Sequence, residues 1–497
     1  LYTNRRNITL ALLVATFLAA IEVTVVSTAM PTIVGELGGL ELISWVFAIY
    51  LLTSAITTPI FGKLADLYGR KKIFIAGSVL FLIGSMLCGL AGSMTSLIWF
   101  RALQGIGAGA LLPVTFTIIG DVYPYEKRGQ MQGIFSSIWG IAALVGPLVG
   151  GFFVDSLSWR WIFYFNLPFG IVSIALIWMF LKESVNETNK KIDYAGAITF
   201  SIAMTAFLFA VISGGGEYAW TSPLILGLFG IFIVFSIAFY IIELRAEDPM
   251  IPLKLFKIRD ITVSNASGFF ISAVSIALST YLPMWVQGVM GKGATFAGLT
   301  LSPMSIGWLI GSVVSGKLLV KHGTKIFALM GCGFITIACF ILLLADTDTS
   351  YWYFIGLMFI GGIGFGLSMT VFTVIVQSSV GWEIRGASTG LATFTRTLGQ
   401  TIGIAIFGTW MNKEIASLSA SNSGRTFDFN EINKLLDPKE AVLLPSDQLS
   451  QMHNILASSL HSVFIFICGA AIAGLLAVLW MPRHENQLDS VKREEVR

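Results

Sequence analysis

The stretch ITLALLVATFLAAIEVTVVSTAMP, from Ile8 to Pro31, is apolar over more than the ~20 residues that a helix needs to cross the hydrocarbon of a bilayer. Its one ionisable side chain is Glu22. At about 1.5 Å rise per residue, Glu22 lies well inside the hydrocarbon, where inserting a bare carboxylate costs at least ~2.5 kcal/mol. An acid kept at that depth faces the interior of a helix bundle. It serves there either as a polar contact that fixes packing or as a group that takes up and releases charge, and the second reading is the default for an intramembrane acid. Arg5 and Arg6 before the run imitate the start of a secretory signal. The run is too long for such a signal and lacks a clear cleavage site, so it is expected to remain as the first membrane helix.

The rest of the chain shares this character. Its 497 residues are 55% hydrophobic and only 12% charged, against ~25% charged in soluble domains, so lipid must be the solvent for much of its surface. The formal net charge of +3 says little about partners. No nucleic-acid partner is expected. Cys88, Cys332, Cys339 and Cys468 all lie in apolar segments, without a CxxC pair or histidines at metal-ligand spacing. They read as small core residues, and neither a disulfide framework nor a metal is expected. No Walker A loop, HExxH, nucleophile elbow or cofactor fingerprint occurs in a suitable context, and His322, His453, His461 and His484 stand at loops or helix ends. An enzyme, a cofactor and ATP-driven transport are therefore not expected.

Fourteen apolar runs have spanning length: roughly 8–31, 44–61, 73–92, 97–120, 131–153, 162–181, 195–212, 223–243, 261–288, 294–316, 326–345, 351–378, 387–410 and 456–481. With Arg5 and Arg6 inside, odd helices run outward and even helices return. Of the 31 Lys and Arg, 23 then fall in inside loops and tails and 6 outside, with Arg101 and Arg396 within helices. Four of the outside cations share one long loop, where charge counts for little, so the positive-inside rule supports this orientation. The reading is a multi-pass protein of a plasma membrane, bacterial by expectation, with both termini cytoplasmic.

The halves of the chain echo each other. GKLADLYGRKK from Gly62 recurs as GKLLVKHGTK from Gly316, GIGAG at Gly105 as GIGFG at Gly362, and EKRGQMQG at Glu126 as EIRGASTG at Glu383. The offsets are 254, 257 and 257. This predicts a six-helix bundle over 1–182, two inserted helices with their loops over 183–260, and a second six-helix bundle over 261–497. Such paired halves, related by an axis along the membrane normal, are a transporter architecture with a cavity near the midplane. An outside loop over 412–455 is the one sizeable soluble piece. In it, Asp437-Pro438-Lys439-Glu440 has the pattern of a helix start, and Leu449, Met452, Ile455 and Leu456 form an apolar stripe expected to lie against the outer mouth.

The block Gly62-x-x-x-Asp66-x-x-Gly69-Arg70-Lys71-Lys72, with the half-repeat, resembles the loop signature of the major facilitator superfamily. The physical reading agrees, because Gly62 allows close helix approach, Asp66 can favour a neighbouring helix N-terminus and the basic cluster holds the loop at the inner surface. The alternative is a merely topogenic basic loop. The second copy has Val320 and Lys321 near the place of the acid, so any conformational latch, with Asp121, Glu126 and Arg128 as further members, is asymmetric. Arg101, in LIWFRALQGIGAGALLP, resembles the family's arginine-and-glutamine signature, and its depth suits a pairing with Glu22; the alternative is that it snorkels to the headgroups. Ala142-Ala-Leu-Val-Gly146-Pro147-Leu-Val-Gly150-Gly151 resembles the helix-five signature of antiporters. Here Gly146 and Gly150 make a close-packing face and Pro147 bends the helix.

The run around Glu22, Trp159-Arg160-Trp161-Ile-Phe163-Tyr-Phe-Asn166-Leu-Pro168 and the fourteen spans together look like the fourteen-helix drug:proton antiporter branch. Members usually carry aspartate where this chain has Glu22. The resemblance implies an all-α polytopic membrane protein, two six-helix bundles plus two inserted helices, exchanging inward protons for exported amphipathic, often cationic, drugs, with Glu22 and Arg101 as the proton-coupling pair. The partners implied are protons, an amphipathic small molecule and the bilayer, and a monomer is expected. Trp45, Trp139, Trp285, Met304, Trp308 and Phe394 would suit flat lipophilic cations if they face the cavity, with Gln104, Asn265, Gln287, Arg396 and Gln400 as polar lining. Each aromatic can equally pack in a core or face lipid. A channel or an exporter of one endogenous compound, such as a lipid precursor, siderophore or antibiotic, is the competing reading.

Overall fold

A computed structural model describes residues 4–38, 42–183, 193–215, 218–292, 294–421 and 445–482. Each of the fourteen apolar runs is mostly helical. The elements are α1 (Arg5–Leu37), α2 (Ile43–Tyr68), α3 (Arg70–Gly89), α4 (Met94–Val122), α5 (Tyr125–Ser156), the single turn α6 (Trp161–Tyr164), α7 (Asn166–Phe180), α8 (Tyr194–Ser213) and α9 (Pro223–Arg245). There follow α10 (Arg259–Met284), continued by a π-helical turn Trp285–Val289, then α11 (Ala294–His322), α12 (Thr324–Leu343), α13 (Tyr351–Ser378), α14 (Arg385–Ser421) and α15 (Ser446–Leu479). Among the described residues, 12 helices are long and apolar enough to cross a membrane. The remaining two runs lie in α5 and α14, of 32 and 37 residues. The run 162–181 is divided between α6 and α7, with Phe165 between them.

The chain packs as two units. The first comprises Leu1–Ile212, Trp220–Thr262 and Thr373–Phe394, and the second Ser213–Ala219, Val263–Phe372 and Thr395–Arg497. Helices in lipid gain little from the hydrophobic effect, so their association rests on close packing over small residues. The echoed glycines do this in both units. A Cβ on Gly105 or Gly109 of α4 would strike α2 at Tyr50 and Thr53 or at Ser54 and Thr57, and one on Gly107 would strike Phe81 of α3. At the same offset of 257, Gly362 and Gly366 of α13 meet Met304 and Trp308 of α11, and Gly364 meets Gly331 and Ile335 of α12. The repeat is therefore a repeat of helix contacts. Gly69 (φ +93°) and Gly323 (φ +82°), at the offset of 254, mark the first echo, each opening the helix that follows in a left-handed conformation that glycine adopts most readily.

The outer loop differs from its expected form. Residues 412–421 continue α14, and Met452, Ile455 and Leu456 are buried in the first turns of α15, continuous with the span. The helix start at Asp437 lies outside the described residues.

Candidate functional site

Glu22 of α1 and Arg101 of α4 are 2% and 1% exposed. Arg101 Nη1 donates to Glu22 Oε1 at 2.5 Å and to Gln104 Oε1 at 2.9 Å. Arg101 Nε donates to the Val46 carbonyl at 3.3 Å, and the guanidinium lies over the Tyr50 ring, 4.2 Å from its centre. Held by these partners and 1% exposed, the arginine is turned into the helix bundle rather than outward. The second carboxylate oxygen is also filled: Asn166 Nδ2, at the start of α7, donates to Glu22 Oε2 at 2.7 Å and to Ser85 Oγ of α3 at 2.9 Å. Ser85 in turn donates to the Phe163 carbonyl at 2.8 Å, and the Cys88 thiol to Gln104 Oε1 at 3.7 Å. Charge-assisted bonds such as these are about twice as strong as neutral ones. They offset the desolvation of the acid only while all partners are present, since removing one partner of a buried pair costs about 3–5 kcal/mol.

The face of α5 closes on α1 beside this acid. Thr24, two residues from Glu22, donates to the Ile21 carbonyl at 2.9 Å and the Ala142 carbonyl at 3.3 Å. A Cβ on Gly146 would stand 2.7 Å from Thr24 Cβ, so only glycine fits. Gly150 is buried, whereas a Cβ on Gly151 would meet nothing within 4 Å. Pro147 lies within the helix, and its side chain is outside the described residues. The outer end of α1 is held separately. Trp159 Nε1 donates to Glu36 Oε2 and Arg160 Nη1 to Glu36 Oε1, both at 2.6 Å, while Arg160 Nη2 reaches the Ala91 carbonyl at 3.4 Å. The Arg160 bond first, then the Trp159 bond, holds the Glu36 carboxyl below the usual carboxylate range. A lowered acid contributes its tie fully above the ordinary pKa and loses it as pH falls through the lowered one, so this tie holds at neutral pH.

A second buried network, wholly within the first unit, joins the C-terminal ends of α2 and α4 to the N-terminal ends of α3 and α14. Asp66 accepts the main-chain N–H groups of Gly386 at 2.8 Å and Ala387 at 2.7 Å, which is the helix N-terminus contact expected for a carboxylate. Gly62 and Gly386 lie back to back, since a Cβ on Gly62 would be 2.6 Å from the Gly386 carbonyl oxygen. Arg70 pairs with Asp66 at 2.9 Å and Asp121 at 3.0 Å, donates to the Trp382 carbonyl at 2.6 Å, and lies 3.9 Å over the Trp382 ring. Arg385 pairs with the other oxygen of Asp121 and donates to the Gln377 carbonyl at 3.0 Å. Glu183 accepts the N–H groups of Arg70 and Lys71 at 3.0 and 3.1 Å, capping α3. Arg128 donates to the Tyr123 carbonyl at 3.1 Å, while the side chains of Glu126, Val320 and Lys321 lie outside the described residues. Asn166, Glu36 and Arg385 were not singled out from sequence. Two of them had a signal: Asn166 stands in the Trp159-to-Pro168 run that carries the resemblance, and the echo of EKRG in EIRG aligns Arg385 with Arg128.

The residues expected to line the cavity are divided between the two units. In the first unit, Gln104 belongs to the Glu22 cluster, Trp45 lies against Phe209 of α8 with ring centres 4.9 Å apart, and buried Phe394 meets Phe200 of α8 at 5.2 Å. Trp139 is exposed. In the second unit, Trp308 stacks on Phe365 at 5.4 Å, Trp285 is buried against Phe354 and Phe464, and Met304 packs under Gly362. Asn265 is buried, Arg396 runs beside Gly268, Gln287 lies in the π-helical turn and Gln400 is half-buried. Among the described residues, no group of three or more His, Cys, Asp or Glu is placed to hold a metal ion.

The family model of the Major Facilitator Superfamily matches residues 12–404. Multidrug resistance protein 3 of Bacillus subtilis (strain 168) is 36% identical over 487 residues, covering 96% of this chain and 95% of that protein. Multidrug transporter protein MdtP of the same organism is 39% identical over 416 residues, covering 84% and 77%. Among solved structures, the human organic anion transporter MFSD10 (TETRAN) superposes with a TM-score of 0.60 at 10% identity, over 94% of this chain and 99% of that one. The proton:xylose symporter XylE bound to 6-bromo-6-deoxy-D-glucose does so with a TM-score of 0.60 at 16% identity, over 97% and 96%. At these identities the two structures speak for the fold alone.

Proposed function

Because the chain belongs to the major facilitator superfamily, we propose that it exports amphipathic, often cationic, small molecules in exchange for protons, with two six-helix halves alternating access around a central site. Its relatives bear the names of multidrug resistance and multidrug transporter proteins, which supports export of drugs over uptake of nutrients. The observation that carries the proton reading is the buried Glu22 carboxylate, bonded at one oxygen by Arg101 and at the other by Asn166.

Ionised Glu22 attracts Arg101 and could equally serve a cationic substrate. A proton arriving on the carboxylate removes that charge, so proton and substrate compete for one group. Arg101 then loses its counter-charge, and α1 and α4 are freed to part. Because one proton exchanged for one monovalent cation moves no net charge, the pH difference drives the exchange, and each pH unit supplies about 1.4 kcal/mol per proton, enough for a tenfold step of accumulation. Proteoliposomes with an imposed pH gradient and no nucleotide should therefore move ethidium, a flat lipophilic cation. Movement that appears only when ATP is supplied would refute proton antiport.

Asp121 is the centre of the second network, which we assign as a latch that closes the cytoplasmic side. Asp121→Asn keeps the shape but leaves Arg70 and Arg385 without their shared acid. The loss of a buried pair, about 3–5 kcal/mol, should shift the population toward an open inner side. The expected result is at least tenfold slower ethidium efflux, together with faster labelling of a cysteine placed at Gln377. Slower efflux with unchanged labelling would mean that Asp121 serves folding alone.

A further inference from the structure

We propose that Asn166 reads the protonation state of Glu22 and passes it to the segment 159–166, a role that rests on the proton-carrier reading above. This segment is tied to α1 at two heights. Trp159 and Arg160 hold Glu36, and Asn166 holds Glu22, about 21 Å away along the helix at 1.5 Å per residue. The inner tie is the one that a proton can change.

A carboxylate oxygen only accepts hydrogen bonds, whereas a side-chain amide carries both donors and an acceptor. With Glu22 ionised, the Asn166 amide presents its N–H group, and Nδ2 serves Glu22 Oε2 and Ser85 Oγ together. A proton from water that binds Oε2 turns this oxygen into an O–H donor facing an N–H donor. The conflict is relieved when the amide turns over, so that Asn166 Oδ1 accepts from the new O–H. The proton, given up by a hydronium ion that leaves as water, stays on Oε2, and no other covalent bond of the protein is made or broken. Ser85 Oγ then loses its donor, and because Ser85 itself bonds to the Phe163 carbonyl, the change reaches the main chain of the segment. The charged and titratable groups around Glu22 are Arg101 from α4, Tyr50 of α2 behind it, and Cys88 of α3 through Gln104. Arg101 and Tyr50 engage from the side of Oε1, which leaves Asn166 as the partner of the second oxygen.

The test follows ethidium binding to the purified full chain in nanodiscs as a function of pH. Binding should weaken as pH falls through the midpoint at which Glu22 takes its proton. Asn166→Leu removes a bond to the charged form that is stronger than its counterpart in the neutral form, so the midpoint should rise by about one pH unit, a tenfold change in the ionisation equilibrium. Ser85→Ala leaves Asn166 in place but removes the anchor that keeps its amide in the donor orientation, together with the bond to the Phe163 carbonyl, and should move the midpoint the same way by less. If Asn166→Leu does not fold, Ser85→Ala decides. A wild-type midpoint in the folded variants, with only the maximal binding or the yield of protein reduced, would reduce Asn166 to a packing residue and overturn the proposal. Glu22→Gln separates the two layers. Should it retain the wild-type pH profile, the proton-carrier reading fails and takes the role of Asn166 with it. Should it lose the pH dependence while Asn166→Leu and Ser85→Ala leave the midpoint in place, the role of Asn166 alone fails.

Discussion

Glu22→Gln should stop proton-driven efflux while the protein still inserts and folds. Glutamine has the size of glutamate and keeps an acceptor for Arg101 Nη1, now 2.5 Å from the carboxylate, but it cannot bind and release a proton. The variant also leaves Arg101, 1% exposed, without a counter-charge, at a cost of about 3–5 kcal/mol. For that reason inserted, folded protein must be measured beside transport. Glu22→Asp gives the second half of the argument. It keeps the charge and shortens the reach by one methylene, so substantial efflux should remain. The packing reading expects the reverse order, with the glutamine variant transporting normally. Full gradient-driven ethidium efflux by Glu22→Gln would remove Glu22 as carrier and direct attention to the Asp121 network.

Gly146→Leu should likewise abolish export, by a different route. A Cβ at this position already collides with the Thr24 side chain, and a leucine must push α5 away from α1 next to the buried acid. Close approach of small residues is the main attraction between helices in lipid, so separation should open the seal beside Glu22 and reduce efflux by roughly tenfold or more. Gly151→Leu is the control, because a Cβ there meets nothing within 4 Å, and it should transport nearly as the wild type does. Equal loss in both variants would mean that bulk anywhere on α5 is harmful and that the Gly146 face has no special part.

Hydropathy alone placed the helices, because a spanning run must bury its own backbone hydrogen bonds and be apolar over most of its length. Glu22 and Arg101 were legible for the same reason: a charge at hydrocarbon depth needs a partner, and few charges stand at that depth. Asn166 was not. It stands near the start of the apolar run 162–181, where a polar residue carries no sign of facing inward, and only the packing of α7 against α1 and α3 brings it to the carboxylate. The latch was half legible. Its first-half residues lie in a recognisable block, but the echo pointed equally to Arg128 and Arg385, and it is Arg385 that meets Asp121 whereas Arg128 bonds to the Tyr123 carbonyl. The aromatic residues were the least legible. Phe394 and Trp45 are both covered by phenylalanines of α8, one of the inserted helices, whose docking face has no pattern in a sequence that is apolar all round.

The most direct measurement is of protons rather than of drug. Proteoliposomes containing a pH-sensitive dye are loaded with ethidium on one side only, with no pH gradient and no nucleotide, and the downhill flow of ethidium is followed together with pH. In the wild type, protons should move against the flow of ethidium and build a pH difference that a protonophore collapses, and Glu22→Gln should build none. Downhill ethidium flow through the wild type with no counter-movement of protons, or an equal pH difference built by Glu22→Gln, would contradict proton exchange at Glu22.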